Sequence, residues 1–255
     1  AFELADIVCP ISVRPGGRLD LLSAEFSNSG KEFHDDFRVK WSRVSWSPKY
    51  RFPMDEINPE LRVFEQGWLT HWTHTWPGPW PSEQAWEFYR DMLAEPETYV
   101  RDARATLSRI ISEGLLRASS WKMPAEEPAV GFTALAPAEA LGLMRWRKRY
   151  TRYSFEPFGL ALRLEPLERL GARPVRYLKP DETARLGTGK IDKLFTQSAG
   201  RKGNWAAERE WRCRGDLPLG SFTKEELVLF AADSETAETI KAGLKQAWEV
   251  IPLFI

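Results

Sequence analysis

The strongest local signal in the chain is the run Trp205-Ala206-Ala207-Glu208-Arg209-Glu210-Trp211-Arg212. Its pattern predicts a β-strand over residues 205–213. Because side chains alternate between the two faces of a strand, Glu208, Glu210 and Arg212 are expected on one face. Two carboxylates about 7 Å apart on that face are suited to a catalytic site, in which one stabilises a developing cation and the other orients a nucleophile. A solvated strand edge whose charges pair with one another accounts for the same spacing.

A second signal lies upstream, in residues 69–74, which hold two of the three histidines, His71 and His74. A short strand is expected over 69–73, and the two histidines would then face opposite ways. That spacing is poor for chelation, so no metal site is expected. His71 is a candidate donor to a ligand hydroxyl beside aromatic neighbours, and a hydrogen-bonded structural histidine is the alternative.

A third signal is a basic segment, residues 145–153, in which arginine and lysine residues are mixed with Trp146, Tyr150 and Tyr153. Charge for phosphates and rings for bases are what nucleic-acid surfaces use. The pattern places the segment at the end of a helix that opens at Pro137 and runs to about Tyr150. A solvated helix end is the alternative, since cations are favoured there. The candidate nucleic-acid contacts are Arg145, Arg147, Lys148, Arg149 and Arg152.

Composition sets the limits within which these signals act. The 255 residues include 36 Lys+Arg and 36 Asp+Glu, so any attraction to nucleic acid must come from a local patch. Hydrophobic residues make up 43% of the chain, enough for a sizeable core, and no apolar run approaches the length of a membrane helix. Cys9 and Cys213 are expected to be buried thiols in a reducing cytosol, so the predicted localisation is cytoplasmic, with no membrane partner.

Strand and helix patterns are interleaved without a strict βαβ alternation. This predicts an α+β fold with a mixed, largely antiparallel sheet and flanking helices. The expected core strands lie at 129–134, 158–162 and 227–231, and the helix that starts at Pro96 is expected to stop at Gly114. No internal repeat or clean linker is present, so one domain over residues 1–255 is the expectation.

Several blocks along the chain resemble, in their order, the AbiGi group of bacterial abortive-infection proteins, over roughly residues 69 to 232. The blocks are Leu107–Ser119, Val130–Thr133, Pro157–Leu160, Ala172–Tyr177 and Trp205–Arg212. The same layout is similar to ADP-ribosyltransferase-like folds, including DarT-type DNA-modifying enzymes. The resemblance implies a split β-sandwich core over 69–255. Residues 1–68 fall outside the resemblance and are expected to form an N-terminal extension packed on this core.

In such folds a histidine or arginine lies on the first core strand and the catalytic glutamate lies on a late strand. By position, His71 would hold the adenosine-side ribose of NAD, Thr133 would line the nicotinamide pocket, and Glu210 would stabilise the oxocarbenium ion. Glu208 would complete a Glu-x-Glu pair. The implied site therefore has Glu210, Glu208 and His71 as catalytic residues, and His71, Trp72, Thr73, Phe132 and Thr133 as NAD-binding residues.

The resulting hypothesis is an NAD-dependent ADP-ribosyltransferase or NAD glycohydrolase of bacterial anti-phage defence, with DNA, RNA or protein as acceptor and no metal. It requires the two glutamates, His71 and Thr133 to line one hollow. Two alternatives stay open. One is a non-catalytic nucleic-acid- or protein-binding antitoxin that uses residues 145–153. The other is a phosphate- or sugar-binding enzyme that uses the same carboxylates.

Overall fold

The structure is a computed structural model that describes residues 4–36, 38, 41, 50, 52–76, 78–80, 83–94, 101–120, 123, 126–147, 152–178, 182, 192–198 and 205–255. The chain divides into two compact units, Ala1–Ser47 with Tyr89–Pro96, and Pro48–Phe88 with Glu97–Ile255. Their boundaries differ from the expected division at residue 69. The single-domain organisation stays a prediction.

The smaller unit contains two short parallel strands, β1 (Ile7–Val8) and β2 (Glu32–Phe33), and helix α1 (Arg18–Ser27) between them. The rings of Phe26 and Phe33 lie 6.4 Å apart. Cys9 is exposed, so the expectation that it is buried is wrong.

The larger unit is built on a seven-stranded sheet. Its strands are β3 (Trp68–Trp72), β5 (Ala129–Thr133), β8 (Gly159–Arg163), β9 (Arg173–Pro174), β12 (Glu210–Arg214), β14 (Leu227–Ala231) and β15 (Glu249–Pro252). The strand order is β15-β14-β8-β3-β5-β12-β9. Only the β14–β15 pair is parallel, which confirms an α+β fold with a mixed, largely antiparallel sheet.

The chain also forms smaller elements. Two-stranded pairings join β4 (Leu115–Leu116) to β13 (Leu217–Pro218), β6 (Trp146–Arg147) to β7 (Arg152–Tyr153), and β10 (Arg176–Leu178) to β11 (Thr196–Ser198). Besides α1, the described α-helices include α2 (Ala85–Ala94), α3 (Ala103–Glu113), α4 (Pro137–Leu141), α5 (Leu164–Arg169) and α6 (Ser234–Gly243). Among the described residues, 3₁₀ helices span Pro59–Phe64, Lys193–Phe195, Trp205–Glu208 and Leu219–Ser221.

The sheet has an apolar core on each face. Leu69, Phe132 and Leu160 belong to one cluster, whereas Trp68 and Trp72 belong to another. Consecutive residues of β3 thus alternate between the two clusters, as the period of two in a strand requires. Because both faces are covered, β14 is a continuous apolar run that is buried at every position.

Local chemistry sets the ends of α3. The Asp102 side chain accepts a hydrogen bond from the Ala105 N–H (2.8 Å), which satisfies an amide that the first turn cannot. Gly114 has φ +62°, a left-handed conformation that glycine adopts without strain, and it closes the helix as expected.

Helix α4 differs from its prediction. It ends at Leu141 rather than near Tyr150, and the following residues form the antiparallel ribbon of β6 and β7. The described helices include none whose length and apolar content would let it cross a membrane.

Candidate functional site

Glu208 and Glu210 lie in different kinds of backbone. Glu208 ends the 3₁₀ helix Trp205–Glu208, Arg209 has φ +45°, and the strand begins only at Glu210. The prediction of a strand over 205–213 with Glu208, Glu210 and Arg212 on one face is therefore wrong for Glu208. Positive φ is rare for a residue with a Cβ, and here it turns the chain between the two glutamates.

Contacts from the end of β5 hold this turn. The Ala134 N–H donates to the Arg209 carbonyl oxygen (3.0 Å), and the Thr133 hydroxyl donates to the Glu208 carbonyl oxygen (2.5 Å). The Leu135 N–H in turn donates to the Thr133 hydroxyl oxygen (3.1 Å). Thr133 thus positions the backbone of the acidic segment, although its hydroxyl is occupied by that task.

The Glu210 carboxylate is held from two sides. One oxygen accepts from Arg212 Nε (2.6 Å) and the other accepts from the Tyr177 hydroxyl (2.7 Å). The Glu210 side chain is 20% exposed, whereas Arg212 is 3% exposed. A negative charge therefore has a fixed position near the surface, backed by a buried cation.

Arg212 uses all three of its guanidinium nitrogens. Besides Glu210, it donates to the Leu194 carbonyl oxygen (2.7 Å) and to the side-chain oxygen of Gln197. Buried charges are stable in proteins when they are both paired and hydrogen-bonded. Arg212 meets both conditions.

Tyr177 contacts Glu210 and responds to the charge of both glutamates. Burial, the hydrogen bond to Glu210 and the nearby negative charges of Glu210 and Glu208 all raise the pKa of its hydroxyl above the ordinary tyrosine value. The phenol thus remains a donor at neutral pH. Glu210 accepts a hydrogen bond from this hydroxyl, whereas the charge of Glu208 acts on its pKa without such a contact being shown.

Three adjacent strands bring polar residues level with one another. Thr70 of β3 is the register partner of Thr133, and Thr133 is the register partner of Glu210. Directly paired residues lie on the same face of a sheet, so these three form one row. Both threonines are buried, and Glu210 is the member of the row that reaches solvent.

His71 does not lie on this face. It follows Thr70 in β3, its ring meets that of Phe132 edge-on (5.9 Å between centroids), and its Nδ1 lies 2.8 Å from the Gly131 carbonyl oxygen. The prediction that His71 faces Glu208 and Glu210 is therefore wrong, because the alternation of side chains turns it to the opposite side. Burial lowers the His71 pKa, and the hydrogen bond to Gly131 offsets this in part, so the ring is neutral at pH 7.

The other predicted NAD contacts are engaged within the protein. Trp72 is 3% exposed and stacks on Phe230, and Phe132 is buried in the opposite core. The Thr73 hydroxyl oxygen lies 2.8 Å from the Ala103 carbonyl oxygen and 3.0 Å from the Phe158 carbonyl oxygen, so its single proton is shared between these two acceptors. A ligand would reach these three residues only after those contacts break.

The predicted nucleic-acid residues lie on and beside the ribbon of β6 and β7. Arg145 is exposed and precedes β6, and Arg147 pairs with Arg152 across the ribbon. Lys148 and Arg149 lie outside the described residues. The predicted position at a helix end is wrong, because α4 stops at Leu141.

A separate cleft of about 550 Å³ lies beside α5. It is lined by Gly67, Arg163, Leu164, Glu165, Pro166, Glu168, Thr223, Glu225 and Glu226. None of these is a predicted site residue. Among the residues that the structure describes, no group of three or more His, Cys, Asp or Glu side chains could hold a metal ion.

Sequence reasoning missed the roles of Tyr177 and Gln197. Tyr177 lies in the Ala172–Tyr177 block that carries the resemblance, but the sequence gave no indication that it contacts Glu210. Gln197 gave no signal, because its contact with Arg212 depends on how the Lys193–Phe195 turn folds over β12.

Comparisons with known proteins identify no relative: no protein-family model matches the sequence, and neither the curated proteins nor the solved structures include a match.

Proposed function

We propose that this chain binds NAD and cleaves its nicotinamide–ribose bond, acting as an ADP-ribosyltransferase or an NAD glycohydrolase. Glu210 is the group that stabilises positive charge on the ribose, with Glu208 beside it. On the resemblance, the biological role is bacterial anti-phage defence and the acceptor is DNA, RNA or protein.

The observation that carries the proposal is the row formed by Thr70, Thr133 and Glu210 on three neighbouring strands. Glu208 lies 75 residues after Thr133 in the chain, yet the two are hydrogen-bonded. The resemblance implies this order, with a first core strand, a strand bearing Thr133 and a late strand bearing Glu210. Folding brings the three strands side by side.

The sheet also supports a split arrangement. Strands β3 and β5 share a single register pair, whereas β3 with β8 and β5 with β12 share five each. Beyond the Thr70–Thr133 pair, the His71 ring makes the contact to Gly131. Strands β3 and β5 remain neighbours in the seven-stranded sheet, so the split β-sandwich of the ADP-ribosyltransferase type stays part of the proposal.

The chemistry fits a carboxylate in this setting. Loss of nicotinamide leaves positive charge on the ribose, and a fixed negative group stabilises that charge without reorganising during the reaction. Arg212 and Tyr177 fix the Glu210 carboxylate from two sides. A ribose hydroxyl would compete with Tyr177 for the same carboxylate oxygen.

The hypothesis in the form that the sequence suggested, with the two glutamates, His71 and Thr133 lining one hollow, is overturned because His71 lies on the opposite face. What we propose in its place is a site without His71, which rests on the row of Thr70, Thr133 and Glu210. A role for His71 as the ribose contact beside Glu210 is withdrawn, and the proposed acidic site consists of Glu210, Glu208 and Tyr177.

The test is release of nicotinamide from NAD, followed by liquid chromatography and mass spectrometry, alone and with DNA, RNA or bacterial lysate. Glu210→Gln is expected to slow release at least about 100-fold, the usual cost of removing a transition-state electrostatic group. Glu165→Gln, at an exposed glutamate, is the matched control and should release nicotinamide at the normal rate.

Circular dichroism and thermal unfolding must show that Glu210→Gln is folded, since the change removes the partner of a buried cation. A folded Glu210→Gln protein with normal release would refute the role of Glu210. Absence of release by the unmodified protein under every acceptor condition would refute the activity itself.

A further inference from the structure

We propose that Tyr177 accepts the ADP-ribosyl group of NAD, so that the protein modifies itself on this phenol oxygen. The inference rests on the proposed function, because the electrophile is the ribose carbon that loses nicotinamide beside Glu210. It names one acceptor residue of this chain, whereas the resemblance implies DNA, RNA or protein in general.

The first support is the contact between a nucleophile and a base. The Tyr177 hydroxyl donates to a Glu210 carboxylate oxygen across 2.7 Å. A hydroxyl becomes an effective nucleophile when a base within hydrogen-bond reach takes its proton. The raised pKa of the Tyr177 hydroxyl keeps that proton in place at neutral pH, so the phenol attacks only as the proton passes to a base. Glu210 is a base in direct contact with it.

The second support is that this base is itself held in position. Arg212 Nε donates to the other Glu210 oxygen (2.6 Å), and the Arg212 side chain is 3% exposed. A nucleophile, a base and a third group that orients the base form the arrangement that activates hydroxyl nucleophiles in enzymes. Tyr177, Glu210 and Arg212 form such a set.

The third support is that the strands around the site fix the phenol. Tyr177 on β10 is the register partner of Gln197 on β11. Gln197 accepts a hydrogen bond from Arg212, while Tyr177 donates to Glu210. The two strands therefore contact both members of the same ion pair. A nucleophile held beside the reacting centre has a large advantage over one that must diffuse to it.

The position of the hydroxyl relative to the surface distinguishes it from that of Thr133. Tyr177 is half-buried, and the Glu210 side chain that it contacts is 20% exposed. Thr133 is buried, and its hydroxyl donates to the Glu208 carbonyl oxygen. Tyr177 thus presents its hydroxyl near solvent, whereas Thr133 does not.

The transfer exchanges one bond at the ribose carbon for another. The bond from this carbon to the nicotinamide nitrogen breaks, and its electron pair leaves with the ring, which becomes neutral. The Tyr177 oxygen forms a glycosidic bond to the same carbon, and its proton passes to Glu210 and then to solvent. The products are nicotinamide, a proton and a protein that carries ADP-ribose on Tyr177.

The test is incubation of the full chain with NAD, an acid quench, and mass spectrometry of the peptide that contains Tyr177, with nicotinamide measured in the same sample. We expect ADP-ribose on Tyr177, in a bond that resists hydroxylamine. Hydroxylamine cleaves the ester that ADP-ribose would form with a glutamate, so it separates a label on Tyr177 from one on Glu210.

Two variants and a matched control complete the test. Glu210→Gln should lose both nicotinamide release and labelling. In Tyr177→Phe, the labelling per nicotinamide released should fall to background. The control Tyr89→Phe removes a hydroxyl from a tyrosine that is 54% exposed, and it should keep full labelling of Tyr177.

Nicotinamide release without ADP-ribose on Tyr177 would overturn the inference and leave the proposed function standing. So would a label that hydroxylamine removes, or equal labelling of Tyr177→Phe and the wild-type protein. Absence of nicotinamide release under every condition would refute the proposed function and the inference together. Because the labelled residue is identified in the wild-type protein, the test gives a result even where Tyr177→Phe does not fold.

Discussion

Removal of the buried cation behind Glu210 is the sharpest test of how the site is held together. Arg212→Met keeps most of the side-chain volume and removes the guanidinium, whose three nitrogens contact Glu210, Leu194 and Gln197. Breaking a buried ion pair from one side costs about 3–5 kcal/mol, because the remaining charge loses its partner. Arg212 is 3% exposed and Glu210 is 20% exposed, so solvent recovers part of that cost and we expect about 3 kcal/mol.

The assay is urea unfolding followed by tryptophan fluorescence, with thermal unfolding as a second measure. At about 2–4 °C per kcal/mol for a protein of this size, the midpoint should fall by roughly 6–12 °C. Arg212→Met/Glu210→Gln removes the uncompensated charge as well. Its loss of unfolding free energy should be smaller than the summed losses of the two single variants by at least about 1 kcal/mol, which is the coupling expected of residues in contact.

Two results would refute this reasoning. A loss below about 1 kcal/mol in Arg212→Met would mean that the ion pair contributes no more than an exposed one. Strict additivity in the double variant would mean that Arg212 and Glu210 act separately, despite the 2.6 Å contact between them.

The remaining predictions concern the stability of the strands and the helix around the site. Gly159→Ala should lower the free energy of unfolding in urea by about 1–3 kcal/mol. A Cβ at this position would lie 2.5 Å from the His71 carbonyl oxygen and 3.2 Å from the Trp72 Cα. The control Gly220→Ala places its Cβ in open space and should leave the stability nearly unchanged. Burial lowers the His71 pKa, so the folded state resists protonation. The free energy of unfolding should therefore not depend on His71 above the ordinary histidine pKa, and it should decrease as the pH drops below that pKa. His71→Gln should make the free energy of unfolding less dependent on pH in this range. An unchanged pH dependence in His71→Gln would contradict the prediction. Asp102→Ala should cost about 1 kcal/mol through loss of the cap of α3, while Asp102→Asn keeps an acceptor and should retain most of the stability.

Elements with a strong local signal were predicted close to their true positions. The strand expected at 129–134 spans Ala129–Thr133, the strand at 227–231 is Leu227–Ala231, and the helix expected to stop at Gly114 does so. These segments carry their own pattern, since a continuous apolar run or a glycine stop needs no distant partner.

The segment after Pro137 illustrates the opposite case. Its residues suit a helix, yet the chain leaves the helix at Leu141 and forms the ribbon. The contact that accompanies this change is distant, because Tyr153 accepts from Tyr50, 103 residues away. Contacts of this range override local helix propensity, which is a weak preference.

The acidic site shows the same division. The sequence by itself determined that Glu210 lies on a strand with Arg212 two residues on, and that α and β elements mix around a largely antiparallel sheet. Only the tertiary structure decided that Glu208 leaves that strand, that Tyr177 holds Glu210, and that His71 turns to the other face. The physical reason is that the alternation of side chains is local, whereas the turn at Arg209 and the register of β3 with β5 depend on hydrogen bonds between segments far apart in the chain.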